Sequence, residues 1–349
     1  MPNSTLQSPP QQVQNGVSDD LLITAHAAML AGRHFNQQAS NLAKQGYMGA
    51  YPSSLGQEAC QVAAALALES ADWLFPTYRD SVAVMSRGID LAEVLSPFHG
   101  SSHCGYAPTK THTAPEATPL ATHTAHAVGL AMAAKFAGDS TVALAMCGDG
   151  STSEGDFHEA LNLAAVFEAP VVFLVQNNGY AISTPVSRQM RAASIAAKGE
   201  GYGMPAYQVD GNDFEQVYPR LHEAVERARA GGGPTLIEAM TYRMGPHTTS
   251  DNPDRYRSRE EVEQWRGRDP LTRIQHQMYQ RLPNAKTHIE NAILAAEKIA
   301  AEARTGMMQL QMPNPQDLFA HVYANPPATL SAVAEEYAQQ HAAQNGENA

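Results

Sequence analysis

The chain has 349 residues, 43% of them apolar, enough to bury a sizeable core in one large α/β domain. Its 35 acidic and 23 basic side chains give a net charge of −12, and no Lys/Arg run is long enough to follow a nucleic-acid backbone or an anionic lipid surface. There is no membrane-length apolar run, no secretion signal in MPNSTLQSPPQQVQNG and no paired spacing among Cys60, Cys104 and Cys147, so the expectation is a soluble cytoplasmic protein with reduced thiols and no nucleic-acid or membrane partner.

Residues 1–18, rich in Gln, Pro, Ser and Asn, read as a disordered arm, with folding from Asp19 onward. Helices are expected at about 20–45 and 56–70, followed by mixed structure to residue 100. Residues 100–119 are dense in His, Thr, Pro and Gly and read as a long loop, a kind of segment that tends to be functional inside a compact domain. A central sheet is then expected through 141–147, 171–176, 206–209 and 235–240, joined by helices near 123–137, 154–168 and 213–230. A polar loop at 244–260 precedes helices over 260–282 and 286–303, the second with Ile289, Ile293, Ala296 and Ile299 facing inward. One domain over 19–337 is expected, and the last dozen residues, 338–349, read as frayed. The fold class is therefore α/β, a parallel sheet with helices on both faces.

The chemistry is concentrated around Gly148-Asp-Gly150 and Asn177-Asn178. The apolar runs Thr141–Cys147 and Val171–Val175 read as strands buried on both faces. The helix expected between them starts at Ser151, Thr152 and Ser153 with Glu154 and Asp156 in its first turn, repeats Leu161, Ala164, Ala165 and Phe167 at helical spacing, and ends before Pro170. A strand–helix–strand crossover returns the chain parallel, so Asp149 and Asn178 should lie just past the carboxyl ends of adjacent strands, where open α/β sheets bind ligands. One carboxylate, one amide carbonyl and a backbone carbonyl leave coordination places for phosphate oxygens, which suits Mg²⁺. Gly148 and Gly150 allow close backbone approach to a phosphate. Neither the G-x-G-x-x-G nor the G-x-x-x-x-G-K-[ST] nucleotide pattern is present. His123 and His126 fall at helical i and i+3 spacing, but no carboxylate or Cys accompanies them as a further metal ligand.

Gly148-Asp-Gly…Asn177-Asn178 resembles the thiamine diphosphate motif. The longer stretch GDGSTSEGDFHEALNLAAVFEAPVVFLVQNNGYAISTP resembles the α subunit of the decarboxylating first component of 2-oxoacid dehydrogenase complexes. The likeness runs from about residue 45 to residue 327 and includes Gly56-Gln-Glu, Phe75-Pro-Thr-Tyr-Arg-Asp80, Pro119-Leu-Ala-Thr122, Gly201-Tyr-Gly203, Val209-Asp-Gly-Asn-Asp213, Leu236–Arg243, Gly245-Pro-His-Thr-Thr-Ser-Asp251, Tyr256-Arg-Ser258 and Pro313-Asn-Pro315.

The resemblance implies the diphosphate-binding half of a thiamine diphosphate fold. It implies Mg²⁺ on Asp149, the Asn178 side chain and the Tyr180 carbonyl, with diphosphate contacts from Tyr78, Arg79, Gly148 and the backbone of Gly150 and Ser151. Thr118 and Leu120 would lie near the cofactor. His247 would sit beside the thiazolium carbon and the substrate carboxylate, where a histidine in its ordinary titration range could move protons at neutral pH. Pro119 and Thr122 match a structural K⁺ loop of branched-chain relatives, but Ala117 and His123 replace a usual serine and glutamine, removing two oxygen ligands. Gln176 replaces an arginine of some branched-chain relatives. Thr248 stands where animal mitochondrial relatives carry a regulated serine, and nothing in the sequence implies a kinase.

No second Gly-rich αβ unit follows residue 245 to supply the glutamate that activates the aminopyrimidine. The resemblance therefore implies an α₂β₂ heterotetramer whose β subunit carries it, together with a lipoyl acyltransferase component that accepts the acyl group from a 2-oxoacid. Residues 195–203 and 236–243 look more like branched-chain members, whereas Gln176 and Gly245-Pro-His also occur in pyruvate members. A contrasting reading is a non-catalytic phosphate- or nucleotide-binding regulatory subunit, in which His247 and Arg79 are incidental.

Overall fold

A computed structural model describes residues 16–101, 104–310, 314, 317–320 and 322–346. Its centre is a five-stranded, wholly parallel sheet of β1 (Trp73–Phe75), β2 (Ala143–Gly148), β3 (Val171–Asn177), β6 (Ala206–Asp210) and β7 (Thr235–Met240), in the order β1-β2-β3-β7-β6. A small antiparallel hairpin, β4 (Tyr180–Ala181) with β5 (Thr184–Pro185), follows β3. The apolar runs become strands because both sheet faces are covered. Leu144, Met146, Val172, Leu174 and Ile237 pack toward the helices Asp19–Lys44, Glu58–Leu66, Phe214–Arg229 and Ala285–Gln309. Their alternates Ala143, Ala145, Cys147, Phe173 and Val175 pack toward Thr122–Ala137 and Gly155–Phe167. Each fully buried Val, Leu or Phe contributes roughly 1.5–3 kcal/mol, so a charge at any of these positions would disrupt both layers.

Residues 104–121 run beside β1 rather than away from it. Leu74 N donates to His112 O (3.0 Å), Ala114 N to Leu74 O (2.8 Å), and Tyr78 N to Ala117 O (3.1 Å). This cover protects the β1 edge and carries Thr118 and Leu120 to the carboxyl end of the sheet. The expected long loop also contains one helical turn, Pro108–Thr111.

Several boundaries differ from expectation. The first helix begins at Asp19, but Val17 is already buried and the Ser18 side chain accepts from Leu21 N, so the folded part extends into the expected arm, whose residues 1–15 lie outside the described residues. Ser151–Ser153 do not cap the next helix: they belong to a 3₁₀ turn, Asp149–Ser153, and the helix Gly155–Phe167 buries Phe157, Ala160, Leu161 and Ala164 while Phe167 is exposed. The helix expected over 260–282 is two helices, Arg259–Arg266 and Pro270–Arg281. The break follows from Gly267 and from Asp269, whose carboxylate caps Leu271 N ahead of Pro270.

The helix Ala285–Gln309, packed on Asp19–Lys44, buries Ile289 and Ala296 as expected, together with Ala292, Ala303 and Met307, but leaves Ile299 half-buried and Ile293 exposed. The tail expected to fray from 338 instead continues a helix, Ala328–Gly346, and residues 347–349 lie outside the described residues, as do Pro313 and Pro315. Among the described residues no helix is long and apolar enough to cross a membrane.

Candidate active site

The carboxyl ends of β1, β2, β3 and β7 open onto one cavity of about 730 Å³. Every residue assigned to the cofactor, the metal or catalysis lines it: Tyr78 and Arg79 after β1, Thr118 and Leu120 from the edge-covering segment, Gly148, Asp149, Gly150 and Ser151 after β2, Asn178 and Tyr180 after β3, and His247 from the loop beyond β7. The parallel register that aligns Gly148 with Gln176 sets the Asp149 and Asn178 turns side by side. Asn178 N donates to Asp149 Oδ1 (3.3 Å).

Asp149 is 1% exposed, and burial raises its carboxyl above the usual range, with hydrogen bonds from Gln189 and the Asn178 backbone opposing that rise. A divalent cation would offset the same desolvation. Gln189, which sequence reasoning passed over, donates through Nε2 to Asp149 Oδ2 (2.8 Å) and to Thr184 O (3.0 Å), while its buried Oε1 has no partner among the described residues. An unpaired oxygen beside a buried carboxylate is a place for a cation-bound water or a ligand donor. Among the described residues Asn178 Oδ1 accepts only from Tyr180 N, at 3.2 Å, which leaves it lone-pair capacity. No cluster of three or more His, Cys, Asp and Glu is placed to hold a metal among the described residues. The donors present, one carboxylate with amide and backbone oxygens, suit a Mg²⁺ ion that also takes phosphate oxygens.

Glycine at 150 is a steric requirement: a Cβ there would lie 2.8 Å from Ala181 Cβ. The 3₁₀ turn carrying it is held from below by Lys198, whose amine donates to Thr152 O (2.5 Å) and Oγ1 (3.0 Å). At the rim Ile182 adopts φ 55°, an unfavourable conformation for a β-branched residue, and its carbonyl accepts from Arg243 Nη2 (2.9 Å).

His247 lies between two guanidiniums. Arg79 Nη2 is 2.9 Å and Arg243 Nη1 3.2 Å from its Nδ1. Guanidinium nitrogens can only donate, so Nδ1 is the acceptor and the neutral ring carries its proton on Nε2. Burial, then Arg79 and Arg243, push the imidazole down to about 4, with Asp251 acting the other way. The expectation that His247 titrates near neutrality is thus corrected for the free chain: two cations that must share Nδ1 disfavour a third charge.

The loop is ordered by Asp251 Oδ2, which accepts from His247 N (2.9 Å) and Tyr256 Oη (2.6 Å), and by Arg243 Nη2 donating to Tyr256 Oη (2.9 Å). Arg257 donates to the carbonyls of Met244 (3.0 Å) and Gly245 (2.7 Å) and also to that of Arg243. Arg243 stood in a motif quoted for resemblance but carried no assigned role; its spacing four residues before His247 was the available signal. His123 and His126 do not share an environment: His123 is buried with Nε2 2.6 Å from Met146 O, and His126 is exposed.

A family model described as Dehydrogenase E1 component matches residues 26–315. The chain is 44% identical over 318 residues to the 3-methyl-2-oxobutanoate dehydrogenase subunit alpha of Mycobacterium tuberculosis, covering 91% of this chain and 87% of that relative. It is 37% identical over 315 residues to the pyruvate dehydrogenase E1 component subunit alpha of Staphylococcus aureus, covering 86% and 85%. It is 40% identical over 265 residues to the corresponding subunit of Acholeplasma laidlawii, covering 76% and 77%. The chain belongs to the dehydrogenase E1 component family.

Proposed function

We propose that this family member is the α chain of a cytoplasmic, thiamine-diphosphate- and Mg²⁺-dependent 2-oxoacid dehydrogenase, which decarboxylates a branched-chain 2-oxoacid such as 3-methyl-2-oxobutanoate and passes the acyl group to a lipoyl acyltransferase. The observation that carries this reading is the convergence of Asp149, Asn178, Arg79 and His247, from four strand ends, on one cavity. The greater likeness to the branched-chain relative favours that substrate over pyruvate.

When bound, thiamine diphosphate supplies the carbanion chemistry of decarboxylation. The chain's own residues have narrower tasks. Asp149, Asn178 Oδ1 and the Tyr180 carbonyl would hold the metal; Tyr78, Arg79 and the backbone of Gly148, Gly150 and Ser151 would hold the diphosphate, with Thr118 and Leu120 alongside. Arg79 suits the task because its planar fork matches phosphate oxygens. His247 would lie beside the reacting carbon and the substrate carboxylate, with its Nε2–H left available as a donor, and an anion neutralising Arg79 would raise its basicity toward the working range. The case for K⁺ is weak in this reading: Ala117 and His123 lack the usual oxygens, and His123 Nε2 is engaged with the Met146 carbonyl.

The acidic residues lining the cavity, Asp149 and Glu154, both belong to the Gly-Asp-Gly end. The resemblance assigns the carboxylic acid that activates the aminopyrimidine to a β subunit, in an α₂β₂ assembly, and this distribution of acidic residues agrees with that reading. The test is 2-oxoacid-dependent dye reduction by this chain with and without that partner, using pyruvate and 3-methyl-2-oxobutanoate. Turnover only in the mixture, with kcat/KM higher for 3-methyl-2-oxobutanoate, is expected. Turnover by this chain alone contradicts the shared site, and a preference for pyruvate reverses the substrate assignment.

A further inference from the structure

Below the metal end of the cavity lies a row of buried side-chain amides that ends on a carboxylate. Asp80, 0% exposed, receives Thr77 N and Thr77 Oγ1 on Oδ2 (both 2.8 Å) and, on Oδ1, Gln176 Nε2 (2.6 Å) and Gln61 Nε2 (3.1 Å). Gln57 Nε2 donates to Gln176 Oε1 (3.2 Å), and Asn178 Nδ2 donates to Gln57 Oε1 (3.4 Å). Gln57, Gln176 and Asn178 are 1%, 3% and 6% exposed.

Each amide has one donating and one accepting end, whereas a carboxylate only accepts. Asp80 therefore turns the NH₂ of Gln176 toward itself and the Gln176 carbonyl toward Gln57. The same logic passes to Gln57, whose carbonyl then faces the Asn178 NH₂. Reversing one amide would set two carbonyls or two NH₂ groups against each other in a buried place, leaving groups unpaired at about 1–3 kcal/mol each.

We propose that Gln57 and Gln176 are positioning residues that, anchored by Asp80, hold the Asn178 amide with its carbonyl oxygen toward the metal position. The inference rests on reading Asn178 as a metal ligand. It predicts that the row matters only while residue 178 has two unlike ends. A carboxylate there presents oxygen whichever way it turns, so Asn178→Asp should make the row dispensable.

The experiment is a Mn²⁺ titration, read by electron paramagnetic resonance, of the assembled αβ complex with thiamine diphosphate. It compares wild type, Gln57→Leu, Asn178→Asp, the double variant and Asn178→Ala. Gln57→Leu should weaken Mn²⁺ binding by roughly 10–100-fold, as for other outer-shell partners of metal ligands, and should change it less than about twofold in the Asn178→Asp background. Gln176→Met tests the same link from β3 should Gln57→Leu fold poorly, and should show the same dependence on background. Equal losses in both backgrounds would overturn the inference, because Gln57 would then act without orienting Asn178. No loss from either glutamine variant while Asn178→Ala abolishes binding would overturn it and leave the metal assignment standing. Unchanged Mn²⁺ affinity in Asn178→Ala would remove the metal assignment itself.

Discussion

Around Asn178 the cavity wall is made of neutral amides, and around His247 it is made of guanidiniums. At the first end Gln61 and Gln176 donate to the buried Asp80 carboxylate and Gln57 donates to Gln176. At the second, Arg79 and Arg243 converge on one imidazole nitrogen while Arg257 holds the loop carbonyls. Amides fix the direction in which an oxygen points without adding net charge. Guanidiniums fix a protonation state and leave positive potential for an anion. The two ends would thus match the two demands of the proposed reaction, an oriented ligand for a cation and a neutral imidazole beside an anionic substrate.

The largest effect should come from removing the group on which the charged end converges. His247→Ala in the assembled complex should lower kcat by roughly 10²–10⁴-fold while the cofactor Kd changes little. Steady-state rates and calorimetry on one preparation measure both. Turnover within about threefold of wild type would reduce this end to a cofactor-holding role.

A smaller loss is expected at the neutral end from Gln189→Leu, which deletes the hydrogen bond to Asp149 Oδ2. Metal affinity should fall about tenfold, with little effect on thermal stability, since outer-shell partners of ligands act mainly on affinity. Unchanged Mn²⁺ affinity would leave Gln189 a purely local contact to the Thr184 carbonyl.

The mildest change should appear in pH dependence. In the folded free chain His247 is held down to about 4, first by burial and then by Arg79 and Arg243. A base so depressed favours the folded state above its unfolded pKa of about 6.5 and loses that contribution as pH falls toward 4. Arg243→Gln removes one of the two cations, so the folded-state pKa should rise, still below the unfolded value because burial and Arg79 remain. Titration of the ring by NMR should show the upward move, and unfolding between pH 7 and 4 should show a weaker acid dependence. A pKa that stays put would mean that Arg243 acts on the loop through Tyr256 and Ile182 alone.

Much of this was readable in the linear sequence, for reasons that particular residues illustrate. Residues 171–175 are apolar throughout, as only a strand covered on both faces requires, and the following Asn177-Asn178 then falls at a strand end by necessity. Cavity residues such as Tyr78, Gly150 and His247 sit in motifs that resemblance could carry. Features that depend on distant pairs were not legible. Gln57 and Gln176 meet across 119 positions and Arg79 and His247 across 168, and an isolated glutamine or arginine carries no mark of its partner. The depressed histidine and the amide row are consequences of folding rather than of local pattern. The break at Gly267–Pro270 could have been found from the Asp269-Pro270 pair, a common helix start.

The central claim, that this cavity holds a metal-bound diphosphate, is tested most directly by calorimetric titration of thiamine diphosphate with Mg²⁺ into the αβ complex, comparing wild type with Asp149→Ala. Losing the one buried carboxylate at the metal position should cost about 3–5 kcal/mol, a weakening of roughly 10²–10⁴-fold. Cofactor affinity within about threefold of wild type, in a variant that still assembles with its partner, would contradict the claim.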